Sequence, residues 1–143
     1  MAATTVTNSS AKLDFGILAY PVITMDPKYA HAGSRTNLIG SNPSPELQRL
    51  MSAELRVSNS TPPVFLFHTA DDSTVPIQNT LLFSTAMANF KRPFQTLILP
   101  DGPHGLGLAL SNPKRTWTGE LERFLGVDWR ILGGFLMGTY VAA

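Results

Sequence analysis

Pro62-Pro63-Val64-Phe65-Leu66-Phe67-His68-Thr69-Ala70-Asp71-Asp72-Ser73-Thr74-Val75-Pro76 is the stretch from which the architecture can be read. Two prolines break the chain. Val64 to His68 is then almost continuously apolar, the pattern of a strand buried on both faces, as parallel sheets require. Asp71 to Thr74 reads as a polar turn. Pro76 suits the first turn of a helix over roughly Ile77 to Phe90, and Lys91-Arg92 complement that helix's negative end. Working outward, Phe15 to Ile23 is a second buried-strand run, with Pro21 near its C-terminal end, where a missing N–H costs least. Phe94 to Leu99 is a third. Thr24 to Pro45 is rich in Pro, Gly, Ser and Asn and is expected to be a long loop. Pro45 can open a helix capped by Ser44 and reaching about Leu55, with Leu47, Leu50, Met51 and Leu55 on one apolar face. Lys114 to Leu125 predicts a last helix, with Trp117, Leu121, Phe124 and Leu125 on one face. Strands and helices alternate, which predicts the α/β class: a parallel sheet with flanking helices.

The bulk composition agrees with a folded domain. The chain has 143 residues, 43% hydrophobic and 15% charged, enough for one domain with a real core. Eleven basic and ten acidic residues leave a net charge of +1, so no basic excess exists to hold nucleic acid. With no cysteine, these residues offer no disulfide, no thiolate metal site and no cysteine nucleophile. The longest apolar stretch, Ile131 to Ala143, is shorter than the ~20 residues that span a bilayer. It is expected to be a core-packing or disordered tail, and no membrane partner is expected.

Chemistry is expected beyond the carboxyl ends of the strands, where ligands bind in open α/β sheets. The turn after Val64–His68 carries Asp71 and Asp72. The loop after Phe94–Leu99, Pro100-Asp101-Gly102-Pro103-His104-Gly105-Leu106-Gly107, carries His104, and its glycines permit sharp backbone turns. An acid followed by a histidine on consecutive strand ends is half of a Ser…Asp…His triad, in which the imidazole takes the serine proton and the carboxylate fixes its tautomer. Either aspartate can fill the acid's place by position alone. His68, at a strand end, reads as a core histidine, and His31 as a loop residue. The three histidines share no metal-ligand spacing, so no metal is expected. Ser34 precedes Asp72 and His104 in the right order, but no strand feeds into it and Arg35 follows in place of a permissive residue. Gly33-Ser34-Arg35 is expected to order the long loop instead. Tyr20-Pro21 can line an acyl pocket or form a buried turn, and Trp117 and Trp129 read as packing residues.

These segments resemble a known family. Pro62 to Pro76 is similar to the acid-bearing segment of α/β-hydrolase esterases in the acetylxylan-esterase and dienelactone-hydrolase-like branch. There the acid sits three residues before the valine of a Val-Pro pair, which matches Asp72. Gly102-Pro103-His104-Gly105-Leu106-Gly107-Leu108 resembles the family's histidine loop and implies a base at His104. His31-Ala32-Gly33-Ser34-Arg35-Thr36-Asn37-Leu38-Ile39-Gly40 also resembles a segment of these proteins. The likeness covers about residues 12 to 125. It implies a partial α/β-hydrolase fold, residues 1–143 being the C-terminal portion of one domain, with about 126–143 as its tail.

No Gly-x-Ser-x-Gly elbow and no His-Gly-Gly-Gly oxyanion motif occurs in the chain. Ala2-Ala3-Thr4-Thr5 resembles the helix that follows the elbow, so the nucleophile is expected upstream. The implied activity is carboxylic-ester hydrolysis, with acetyl groups on carbohydrate as a candidate substrate and no cofactor. Two alternatives stay open: a non-catalytic or partner-dependent half, and a peptidase of the prolyl-oligopeptidase type, which shares this residue order. A sheet cut through its middle would bare the edge of Phe15–Ile23, which predicts self-association.

Overall fold

The computed structural model describes residues 13–131 and 141–142, with side chains through residue 126. Strands β1 (Gly16–Ala19), β2 (Val64–Thr69), β3 (Phe94–Leu99) and β4 (Val141–Ala142) form one sheet in the order β3-β2-β1-β4. Every pair is parallel, with Gly16 opposite Val64 and Val64 opposite Phe94. Helices α1 (Ala32–Ile39) and α2 (Pro45–Met51) and a 3₁₀ turn (Ala53–Arg56) lie between β1 and β2. Helix α3 (Gln78–Asn89) joins β2 to β3, and α4 (Thr118–Ile131) follows β3.

The apolar run of β2 explains the layering. Successive strand residues point to opposite faces. Val64 and Leu66 pack with Ile23, Ala53, Val57, Phe83 and Met87, while Phe65 and Phe67 pack with Ile17, Ala19, Trp117 and Phe124. All six β2 residues are buried. At about 1.5–3 kcal/mol for each large apolar side chain removed from water, these four make β2 the energetic centre of the sheet.

Several expectations need correction. The strand expected over Phe15–Ile23 is only Gly16–Ala19 long. The backbone leaves the sheet at Tyr20, whose φ is 39°. Beyond it the amides of Ile23 and Thr24 bond the Asn79 side-chain oxygen at 2.9 and 3.0 Å in place of a neighbouring strand. The loop expected over Thr24–Pro45 contains α1. Gly33, Ser34, Thr36 and Asn37 are weak helix formers, but the His31 side chain accepts from the Ser34 amide and caps the helix.

Helix α2 stops at Met51 rather than Leu55. The Ser52 hydroxyl donates to the Gln48 carbonyl at 2.9 Å and accepts from the Met25 amide at 3.0 Å, while Ser52's own backbone is extended. Of its expected apolar face, Leu47, Leu50 and Leu55 are exposed, because the segment meets the core through Ser52, Ala53 and Val57. The last helix starts at Thr118 instead of Lys114, since Asn112 turns the chain by accepting from Arg115 and Thr116 through its carbonyl. Trp117 and Phe124 are buried as the pattern implied, with Leu121 and Leu125 packed beside them.

The stretch expected to be a tail holds the end of α4 and strand β4, and β4 pairs with β1 at Ile17 and Leu18, along the edge expected to be bare. Residues Ala2–Thr5 and the Trp129 side chain lie outside the described residues. Among the described residues, no helix is long and apolar enough to cross a membrane.

Candidate active site

Because β1, β2 and β3 are parallel neighbours, their carboxyl ends share one edge of the sheet. Tyr20, the Asp71–Asp72 turn and the His104 loop all leave from that edge. Asp72 is buried, and its two oxygens have separate tasks. Oδ1 accepts from the backbone amides of Thr74 at 2.8 Å and Val75 at 2.9 Å, which closes the turn ahead of α3. Oδ2 stands 2.8 Å from His104 Nδ1. Burial alone would raise the Asp72 pKa. The Val75 amide, His104 and the Thr74 amide outweigh it and hold the carboxyl below the usual aspartate range.

That contact assigns the proton on His104. A carboxylate only accepts, so Nδ1 carries the hydrogen, and in the neutral ring Nε2 is then the nitrogen with the free lone pair. The Asp72 side chain is sealed from water while 30% of the His104 side chain is exposed, which leaves the ring open on one side. Among the described residues Nε2 has no hydrogen-bond partner. This is an oriented imidazole able to accept a proton from a group arriving from outside.

The loop carrying His104 is fastened on both sides. Gly102 donates its amide to Asp71 Oδ1 at 2.8 Å, and its carbonyl accepts from the Thr69 hydroxyl at 2.7 Å. Its φ of 152° and the nearness of Leu106 and Thr69 leave little room for a side chain. Gly107 donates its amide to the Tyr20 hydroxyl at 3.2 Å, and its carbonyl accepts from the Trp117 indole at 2.7 Å. The Tyr20 ring meets the His104 ring edge-on with centroids 4.8 Å apart. Tyr20 therefore braces the His104 ring on one side. Its positive φ is the kind of backbone outlier that gathers at functional sites.

The two aspartates that sequence position left equivalent are thus separated: Asp72 meets the imidazole and Asp71 meets the loop. Ser34 is not brought to His104. Its hydroxyl lies 2.9 Å from His31 Nδ1 within the cap of α1. Thr69 escaped the sequence reading altogether, Trp117 was expected only to pack, Gly102 was noted only as part of the histidine loop, and Tyr20 was expected to line an acyl pocket or a buried turn rather than to meet the His104 ring and Gly107. The glycine density of the loop was a partial signal for Gly102, but a bond between Tyr20 and Gly107 across 87 positions leaves none.

The chain's likenesses bear on this geometry. Residues 1–126 match the prolyl oligopeptidase family. An endo-1,4-beta-xylanase B from Butyrivibrio fibrisolvens is 41% identical over 110 residues, 77% of this chain and 17% of that protein. An acetylxylan esterase from Xylanibacter ruminicola is 35% identical over 100 residues, 67% of this chain and 21% of that protein. The crystal structure of an acetyl ester-xyloside bifunctional hydrolase from Caldicellulosiruptor lactoaceticus superposes with a TM-score of 0.78 at 42% identity, covering 82% of this chain and 43% of that one. The chain spans less than half the length of each of these three proteins.

Proposed function

The chain belongs to the prolyl oligopeptidase family, hydrolases of the α/β fold, and from that premise we propose that it supplies the acid and base of a serine esterase. The observation that supports this most is the 2.8 Å contact between Asp72 Oδ2 and His104 Nδ1. In this reading a serine from sequence outside the chain attacks the ester carbonyl, and His104 Nε2 takes its proton. His104 returns that proton to the departing alcohol, then repeats the cycle with water to release the acid. Asp72 holds the ring and stabilises the imidazolium that forms. The chemistry calls on no cofactor. Acetyl esters of carbohydrate are the favoured substrates, because an acetylxylan esterase and an acetyl ester-xyloside hydrolase are among the similar proteins. The family's name favours peptides, so a prolyl peptide offered beside a short p-nitrophenyl ester separates the two.

Triad members act as a unit, and the chain alone is expected to be inactive. A serine-directed phosphonate should not label it, and labelling at Ser34 would overturn the assignment. In a protein joining this sequence to the upstream half of such a hydrolase, His104→Ala should lower kcat by about 10⁴–10⁶-fold with the fold intact. Retained hydrolysis there refutes the proposal. Self-association belongs to the same reading. A two-residue strand such as β4 is a weak cover for β1, and a longer strand from a second copy can displace it. Light scattering should show dimers or larger species, and a monodisperse monomer contradicts this.

A further inference from the structure

His68 sits inside the molecule near the end of β2, and the mechanism above makes no use of it. Both ring nitrogens are engaged. Nδ1 lies 2.7 Å from the Thr80 hydroxyl on α3, and Nε2 lies 3.0 Å from the Val75 carbonyl oxygen. Nε2 is also 3.3 Å from Asp72 Oδ2, the oxygen that meets His104. Carbonyl and carboxylate oxygens only accept, so Nε2 carries the hydrogen, Nδ1 is the acceptor, and Thr80 donates to it. Burial pushes the His68 pKa down against the upward pull of Val75 and Asp72, so the ring remains a neutral donor. The titratable groups that face it are Asp72 and, beyond it, His104, which also lowers it. Thr80 and Val75 bring no charge.

Val75 makes the connection rigid. Its carbonyl takes the His68 hydrogen, and its amide goes to Asp72 Oδ1 at 2.9 Å. The carbonyl is the nearer acceptor, so the carboxylate receives the lesser share of the His68 hydrogen. We propose that His68 is a positioning residue for the Asp72–His104 pair: an Nε2-protonated imidazole that fixes the acid loop through Val75 and gives Asp72 Oδ2 a second N–H donor behind His104. This rests on the reading of Asp72 as the acid.

Nuclear magnetic resonance of the isotope-labelled chain tests it without catalysis. His68 is expected to be protonated at Nε2 alone from roughly pH 5 to 8. A hydrogen on Nδ1 with Nε2 bare overturns the proposal whatever the variants do. His68→Leu removes the donor, and His68→Gln keeps an N–H near the Nε2 position. In H68L the Asp72 carboxyl should titrate at higher pH than in the unmodified chain, and the His104 Nδ1–H signal should exchange faster with water. H68Q should restore both. An unmoved Asp72 titration in folded H68L overturns the proposal. If H68L does not fold, Thr80→Val replaces it: loss of the hydroxyl frees the ring and should move Asp72 in the same direction, and no movement overturns the proposal. Asp72→Ala separates the two readings. A His104 Nδ1–H signal unchanged in D72A removes the acid–base pair itself, whereas an unmoved Asp72 in H68L removes only the role of His68.

Discussion

Replacing Gly102 with alanine puts a methyl group where the loop has no space for one. Its Cβ would lie 2.9 Å from Leu106 Cδ1 and 3.0 Å from Thr69 Cγ2. Leu106 packs against the Trp117 side of the core and cannot swing away freely. Thr69 can turn only by giving up its bond to the Gly102 carbonyl, a loss of about 1 kcal/mol. The φ of 152° adds roughly 1–3 kcal/mol of backbone strain for any L residue. Together these predict a loss of about 2–4 kcal/mol. Gly105 is the internal control: its φ is 78°, yet nothing lies within 4 Å of its would-be Cβ. Gly105→Ala should therefore cost only about 1–2 kcal/mol, the ordinary left-handed penalty. In a thermal melt at this chain length, G102A should lower Tm by about 6–12 °C and G105A by about half that. Hydrogen exchange at the residue-102 amide should accelerate in G102A alone, because the Asp71 bond opens with the loop. Equal Tm losses in the two variants would refute the claim that Thr69 and Asp71 clamp the loop at this residue.

Stability should fall on acidification in two stages. His68 is depressed by burial, so its contribution is complete above the ordinary histidine value of 6.5 and begins to be lost below it as the unfolded chain takes up a proton. Asp72 is also depressed, and its contribution is complete above 3.8 and lost as pH falls through its lower folded value. Urea midpoints across this range should show both stages in the unmodified chain and only the lower one in H68Q. Asn79→Ala should cost at least about 3 kcal/mol in denaturant unfolding. It strips partners from the Ile23 and Thr24 amides and from the Tyr29 carbonyl, while the Pro76 carbonyl keeps the backbone amide of residue 79, and a loss under about 1 kcal/mol would contradict that.

The parts of the fold that were legible in advance are those where one physical demand governs each residue. β2 must be apolar on both faces, so Val64 to Phe67 announces itself, and Trp117 and Phe124 repeat the demand from the helix side. α1 was hidden because its residues favour loops, and what secures it is a cap from a histidine, an uncommon capping residue. Asn79 was hidden for a related reason. A polar residue in the first turn of a helix reads as solvated, but its side chain replaces a neighbouring strand for the backbone after β1 and is fully buried. Leu47, Leu50 and Leu55 show the converse. Their helical spacing is real, yet the helix ends at Ser52 before the spacing can be used.

The candidate site was legible as residue types but not as partnerships. Adjacent aspartates on one turn look interchangeable by position; the resemblance of the Val75-Pro76 spacing favoured Asp72, and the split of their hydrogen bonds gives Asp71 to the Gly102 amide and Asp72 to the His104 ring. The reason lies in how the histidine is placed. His104 stands between two anchors, at residues 102 and 107, and both are held by groups rooted elsewhere: Thr69 and Asp71 at the end of β2, Tyr20 after β1, Trp117 before α4. The loop's own glycines favour no single conformation. The position of the ring is therefore set by the burial of β2 and Trp117 and delivered through backbone bonds, which any residue type can accept. A sequence names the anchoring side chains, but the backbone groups they hold become visible only once the strands are in register.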